Sequence, residues 1–174
     1  MLGLSVENLS VFANVCGYII GMLIHRETLY ALQTFKPKVL SLNLVTRQEN
    51  TSWVHSDNKT AWGRRMVVTQ NQLVVVNIQN RMLTTYSLTG QLIRHVDCPQ
   101  IVINWVSICV SPNNPNVIIV TDNVLAVKLT TGALLWINND IREPHGIVSY
   151  GHEQCWLLKL AEKRSSGSSI QIQV

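Results

Sequence analysis

The sequence has few charged residues and lacks the motifs of several common enzyme classes. Asp, Glu, Lys and Arg make up 14 % of the 174 residues, against roughly 25 % in an average globular domain. It contains no G-x-S-x-G motif, no P-loop and no dinucleotide-binding glycine motif, and its 9 glycines are dispersed. The usual sequence signals for a serine hydrolase, a P-loop nucleotide hydrolase and a dinucleotide-dependent oxidoreductase are therefore missing.

The cysteines show neither a C-x-x-C pair nor a metal-like spacing. There are four of them, at Cys16, Cys98, Cys109 and Cys155. Cys109 and Cys155 fall inside apolar runs, which is typical of buried, reduced thiols. We therefore expect an intracellular, cytoplasmic protein. Three N-x-S/T triplets, at Asn8, Asn50 and Asn58, favour secretion only weakly, because such triplets arise easily by chance.

The chain also lacks an apolar run long enough for a membrane-spanning helix. The best candidate covers residues 11–24 (VFANVCGYIIGMLI), and its 14 residues fall short of a span, which needs about 20. No basic segment precedes it, so a signal peptide is poorly supported. We expect no membrane span and interpret this run as a buried strand.

Hydrophobic residues, at 47 %, are abundant and occur in short runs. Four compact runs recur at Leu29–Leu32, Leu73–Val76, Val117–Val120 and Cys155–Leu158, with spacings of 44, 44 and 38 residues. None of them has a helical period, and β-branched or aromatic residues dominate. A period of about 40–45 residues with short strands is typical of four-stranded propeller blades.

The sequence therefore predicts an all-β fold: a β-propeller segment of about three to four four-stranded antiparallel blades, forming an incomplete ring. Residues 1–14 are interpreted as a poorly defined N-terminal segment or the remnant of an outer strand. Residues 15–174 hold the repeats, with blades at about 15–57, 64–97, 105–140 and 145–174, the last of them incomplete. Propeller rings have four to eight blades. We therefore expect the chain to be a fragment of a longer propeller or to close its ring with a second copy.

The turn between the third and fourth strands is best preserved in the middle repeats. Thr89-Gly90-Gln91-Leu92 and Thr131-Gly132-Ala133-Leu134 lie 42 residues apart, and glycine there supplies the positive φ of a tight hairpin. Arg47 takes this place in the first repeat. We therefore expect a different geometry or a longer loop at Arg47.

Residues 80–94 (NRMLTTYSLTGQLIR) resemble the third strand of NHL-repeat propellers, which follows an N-x-R-I-x-V-F-x-x-x-G-x-x-x-R type of pattern. Leu73–Asn77 and Val117–Asn123 are similar to the preceding strand of that family, and the resemblance covers residues 64–158 best. The Asn-His-Leu triplet that names the family is absent. Residues 131–136 (TGALLW) also resemble the T-G-x-x-L-W ending of quinoprotein-type repeats.

The resemblance implies a propeller scaffold. Members of the family commonly bind proteins and sometimes RNA, and many animal members carry N-terminal RING and B-box zinc modules. No such zinc-binding segment occurs here, so we expect no ubiquitin ligase activity from this chain.

Residues with catalytic or metal-binding potential are scattered through the repeats. Glu143, His145, His152 and Glu153 come nearest to a metal cluster, but their spacing matches no common ligand motif. Propellers of the gluconolactonase family hold a metal with acids and asparagines, and Asn104, Asp122 and Asn138 are the candidates for such a site. We predict no catalytic residue, no metal and no cofactor, with a metal-dependent lactonase as the least favoured alternative.

Recognition is the favoured function, because the predicted loops of one propeller face combine cations with tryptophans. Trp and Arg are common anchors of protein interfaces. The predicted partner-binding residues are Lys36, Trp62, Arg64, Arg65, Asn80, Arg81, Trp105, Arg142 and His145. A protein partner is expected. The same residue types also suit single-stranded RNA through phosphate contacts and base stacking, and the net charge of +4 permits either partner.

Overall fold

The computed structural model describes residues 19–33, 38–54, 65–78, 80–101, 107–121, 124–138, 144–150, 154–159 and 169–173. These residues form fifteen β-strands and no helix. The chain divides into two compact units, Met1–Trp62 and Gly63–Val174. The predicted remnant strand at residues 1–14 lies outside the described residues.

The first unit contains one antiparallel sheet in the order β1-β2-β3-β4. Its strands are Ile19–His25, Thr28–Gln33, Lys38–Asn43 and Glu49–Val54. Leu29, Ala31 and Leu40 form its small buried cluster, while Tyr30 packs edge-on against Trp53 with ring centroids 6.5 Å apart. The strand expected within residues 11–24 is present from Ile19 onward, but its burial is one-sided.

The one-sided burial of β1 follows from strand periodicity, since alternate side chains point to opposite faces. Met22 and Ile24 share one face and are 59 % and 51 % exposed. Leu23, between them, is half-buried. The prediction of a buried strand is therefore wrong for the face that carries Met22 and Ile24.

The second unit contains three sheets, each with its strands in antiparallel chain order. The second sheet comprises β5 (Arg65–Thr69), β6 (Gln72–Asn77), β7 (Met82–Ser87) and β8 (Leu92–Asp97). The third comprises β9 (Ile108–Ser111), β10 (Asn114–Val120), β11 (Leu125–Lys128) and β12 (Leu134–Ile137). The fourth comprises β13 (Pro144–Tyr150), β14 (Gln154–Lys159) and β15 (Ser169–Gln173).

This arrangement confirms the predicted all-β fold built from four-stranded antiparallel propeller blades. Each sheet is an up-and-down meander, so every strand pairs with its neighbour in sequence. Within the second unit, β9 lies beside both β5 and β13. The first strands of successive sheets are therefore neighbours, as in a propeller.

The main core of the second unit lies between the second and third sheets. Alternate residues Val74 and Val76 of β6 meet Ile118 and Val120 of β10 in one buried cluster. The intervening Val75 is also fully buried. Burial of consecutive residues explains why these strands are continuous apolar runs rather than alternating ones.

Two hydrogen bonds align the sheets of the second unit. The Thr69 hydroxyl donates to the carbonyl of Pro115 at 2.7 Å, which joins the end of β5 to the start of β10. The Ile147 amide donates to Ser107 Oγ at 3.4 Å, which joins β13 to the residue preceding β9. The Thr69 bond places the end of β5 beside the turn that follows β9, so these two neighbouring strands run in the same direction.

The turns between third and fourth strands confirm one prediction and correct another. Gly90 and Gly132 have φ values of 93° and 70°, as predicted. Arg47 also has a positive φ of 60°, and its amide donates to the Asn43 carbonyl at 2.9 Å as that of Gly132 does to Lys128 at 2.8 Å. The expectation of a different turn at Arg47 is wrong relative to the third sheet, because the arginine adopts the conformation that glycine has there. It is correct relative to the second sheet, where the Gly90 amide donates to the Ser87 carbonyl at 3.1 Å.

Candidate interaction surface

The structure describes four of the nine predicted partner-binding residues. Arg65, Asn80 and Arg81 are described with their side chains, whereas His145 is described as the second residue of β13 only. The other five lie outside the described residues: Lys36, Trp62, Arg64, Trp105 and Arg142.

Strand register brings Arg65 and Arg81 to the same end of the second sheet. Arg65 pairs with Val76 at the start of β5, and Asn77 pairs with Met82 immediately after Arg81. Met82 also pairs with Asp97, the last residue of β8. We call this end, defined by Arg65, Asn80 and Arg81, the basic end of the second sheet.

Backbone hydrogen bonds fix the position of Arg81 at the basic end. Its amide donates to the Ile78 carbonyl at 3.2 Å, and its carbonyl accepts from the Cys98 amide at 2.7 Å. The neighbouring Asn80 amide donates to the Asn77 side chain at 3.2 Å. Arg81 therefore closes the turn between β6 and β7 while being tied to the chain that follows β8.

The side chain of Arg81 stays exposed although its backbone is held. Its Nη1 lies 3.4 Å from the Pro99 carbonyl, in an exposed contact. Arg81 has a φ of 50°, a left-handed conformation that is unfavourable for a residue with a Cβ. The backbone hydrogen bonds of Arg81 stabilise this conformation. The side chain that carries the guanidinium therefore begins from a fixed point of the backbone.

Cys98 provides the buried support beneath Arg81. Its side chain is fully buried in the cluster between the second and third sheets, and its carbonyl accepts from the Ile101 amide at 3.0 Å. Burial raises the pKa of the Cys98 thiol to about 11. A hydrogen bond with the Leu83 backbone opposes this rise, and the Asp97 charge adds a smaller contribution to it. The thiol is therefore neutral near pH 7 and acts as an apolar anchor.

The third sheet places a left-handed residue at the equivalent position. Val124 precedes β11 as Arg81 precedes β7, and it has a φ of 42°. Unlike Arg81, Val124 is fully buried and packs with Ile119 and Ile147. The second and third sheets therefore share a left-handed residue at this turn, which is an exposed cation in the second sheet and a buried valine in the third.

His145 lies at the corresponding end of the fourth sheet. It is the second residue of β13, as Arg65 is the first of β5. The fourth residue of β13, Ile147, is joined to Ser107, which precedes β9, so β13 lies beside the start of β9.

The described residues offer no assembled metal centre: no three His, Cys, Asp or Glu side chains among them stand close enough to hold an ion. Asn138 is a candidate for a lactonase-type site, and its backbone N–H donates to the Val124 carbonyl at 3.0 Å. The other candidates, Asn104 and Asp122, lie outside the described residues. Over the part of the chain that is described, we also find no helix with the length and apolar character needed to cross a membrane.

The sequence suggested Arg81 as a candidate but did not indicate the elements that position it. Cys98 and Pro99 follow β8 and look like an ordinary loop in the sequence. No signal in the sequence links Cys98 and Pro99 to Arg81, because the positive φ of Arg81 is visible only in the structure.

Comparisons with known proteins place the chain among β-propellers. No protein-family model matches the sequence, and no curated protein does either. Similar solved structures include Kuenenia stuttgartiensis hydrazine synthase, with a TM-score of 0.67 at 12 % identity, covering 91 % of this chain and 47 % of that one. The computationally designed Ika4 protein gives a TM-score of 0.62 at 11 % identity, with 91 % and 92 % covered.

The WD40 domain of Neurospora crassa Pan2 gives a TM-score of 0.60 at 10 % identity, covering 82 % of this chain and 44 % of that domain. The chain thus spans nearly the whole of Ika4 but less than half of the hydrazine synthase chain and of the Pan2 domain. At such low identities these similarities support the fold alone. The fold of this chain is therefore of the β-propeller class.

Proposed function

We propose that this chain is a non-enzymatic β-propeller module that binds an acidic segment of a protein partner through the basic end of the second sheet. The observation that carries the proposal is the exposed Arg81, whose backbone is fixed by hydrogen bonds to Ile78 and Cys98. A cation held in place before binding loses less conformational entropy on association than one on a mobile loop.

The neighbouring residues support this proposal. Arg65 lies at the same sheet end and adds a second cation, and Asn80 is exposed beside Arg81. Arginine forms bidentate hydrogen bonds with carboxylates. Asn80 and Arg81 also belong to the segment that resembles NHL repeats, and we propose that the chain is a propeller of this type.

A fluorescence anisotropy titration with a labelled glutamate-rich peptide tests the proposal. We expect binding, and we expect Arg81→Asn to weaken it by about 5- to 30-fold, because a charge-assisted hydrogen bond contributes on the order of 1–2 kcal/mol. Asparagine tolerates the left-handed conformation, so the change removes the cation without adding strain. Arg47→Asn is the matched control, since Arg47 is another exposed arginine with a positive φ, and it should leave affinity unchanged.

Three results would contradict the proposal. If Arg47→Asn and Arg81→Asn reduce the peptide affinity equally, the effect is one of nonspecific charge. Tighter binding of a mixed-sequence single-stranded RNA, with a steep salt dependence, would favour RNA as the partner class. A stoichiometric divalent cation found by elemental analysis of the purified chain would favour a metal-dependent hydrolase.

A further inference from the structure

Two cysteines from neighbouring sheets meet in the interior of the second unit. Cys109 lies on β9 and Cys155 on β14, 46 residues apart in sequence, and their Sγ atoms are 3.7 Å from each other. Both are free thiols, with exposures of 5 % and 0 %.

The surroundings of this pair are apolar. Ile119 and Val124 of the third sheet and Ile147 of the fourth complete the buried cluster, and Trp136 packs against it. The hydrogen bond with Cys155 and the burial both raise the pKa of the Cys109 thiol. The same hydrogen bond lowers the pKa of the Cys155 thiol. Because both sulfurs are buried, an external disulfide cannot reach the pair while this seam is closed.

The sulfur separation is close to what a covalent bond needs. A disulfide requires about 2.0 Å between the sulfur atoms, so the two atoms must approach by less than 2 Å from their 3.7 Å separation. The Ile147 amide already bonds to Ser107 Oγ across the same seam, which keeps the two sheets in register.

We propose that Cys109 and Cys155 form a reversible disulfide that latches the third sheet to the fourth. The oxidant is a small-molecule disulfide of the glutathione class. When the seam opens, one cysteine thiolate attacks this disulfide, which forms a mixed disulfide and releases one small thiol. The second cysteine thiolate then displaces the other small thiol, so two cysteines are oxidised, one small disulfide is reduced and the two cysteine protons end on the released thiols.

Latching alters the stability of the second unit. The bond closes a loop of 46 residues, which restricts the unfolded chain. Such a closure raises the midpoint of guanidinium unfolding by on the order of 1 M. Reduction returns the seam to noncovalent packing, so the redox state controls how readily the fourth sheet separates from the third.

The test uses the full chain equilibrated in glutathione buffers of increasing oxidation, with a low concentration of denaturant to open the seam. Peptide mapping by mass spectrometry after alkylation should find Cys109 linked to Cys155, with the loss of two hydrogen atoms. Cys98 is the internal control, because it is buried in the cluster between the second and third sheets and not in the cluster that holds Cys109 and Cys155. The midpoint of unfolding should rise on oxidation, and Cys155→Ser should abolish that rise.

Two results would overturn the proposal. The latch is excluded if Cys109 and Cys155 are still alkylated as free thiols in the fully oxidised buffer. Oxidation that joins Cys98 rather than this pair would show that sulfur proximity across the seam does not direct the chemistry. Because peptide mapping uses the unmodified chain, both results are informative even if Cys155→Ser fails to fold.

Discussion

Gly132 is the position at which a single methyl group should disturb the second unit most. Its φ is 70°, and a Cβ built there would overlap the Asp97 carbonyl oxygen. The same Cβ would lie 2.9 Å from Val96 Cγ1. The turn between β11 and β12 therefore packs against the end of β8 so closely that only glycine fits.

Two independent costs contribute to Gly132→Ala. Placing alanine at a positive φ costs about 1–2 kcal/mol. Relieving the overlap with a backbone carbonyl requires a backbone shift, and overpacking of this kind costs about 1–3 kcal/mol. The expected loss is therefore about 2–5 kcal/mol, a large part of the 5–15 kcal/mol typical of a folded domain.

Guanidinium unfolding followed by tryptophan fluorescence and circular dichroism measures this loss. Gly90→Ala is the matched comparison, because Gly90 closes the turn of the second sheet at a φ of 93° and is only half-buried. Gly132→Ala should be the more destabilising change by at least 1 kcal/mol. Equal losses for the two variants would show that the close approach to Asp97 is absent and would refute the packing argument.

Two further predictions concern the first turn and the buried thiol. Arg47→Gly should stabilise the first unit by up to about 1 kcal/mol in guanidinium unfolding, because it relieves the positive φ of Arg47; a loss of stability would mean that the arginine side chain contributes more than its strain. For Cys98 the folded pKa of about 11 exceeds the ordinary value of 9.0, so its stabilising contribution is complete below pH 9 and is lost as pH rises towards 11. The unfolding free energy of the wild type should therefore fall more steeply over this window than that of Cys98→Ser, and parallel profiles would contradict the raised pKa.

The strands were predictable because their signal is local. Runs such as LVVV and VIIV are apolar at consecutive positions, and the structure buries Val74, Val75, Ile118 and Ile119 completely. A period near 44 residues then follows from the meander, since each of the first three sheets uses four strands and three turns. Composition and spacing together therefore identify blades without any knowledge of their packing.

The turns were less predictable because residue type alone does not show which side chain will bond their backbone. Arg47 takes the conformation of Gly132, which residue type alone argued against. The Asn43 side chain explains this, since its Oδ1 accepts from the amides of Val45 and Thr46 at 2.8 and 2.9 Å. A local hydrogen-bond network thus outweighs the intrinsic preference of one residue.

Arg81 differs from the other left-handed arginines in the contacts that hold its backbone. Strain alone is not evidence of function, because Arg47 has it too and its turn is held by Asn43. At Arg81 the support comes from Cys98, which follows the outer strand of the sheet and is anchored in the core between two sheets. The position of the Arg81 guanidinium is therefore coupled to the packing of the second unit as a whole. A core variant at Cys98 that preserves folding should consequently weaken the proposed peptide binding, which a merely exposed surface cation would not do.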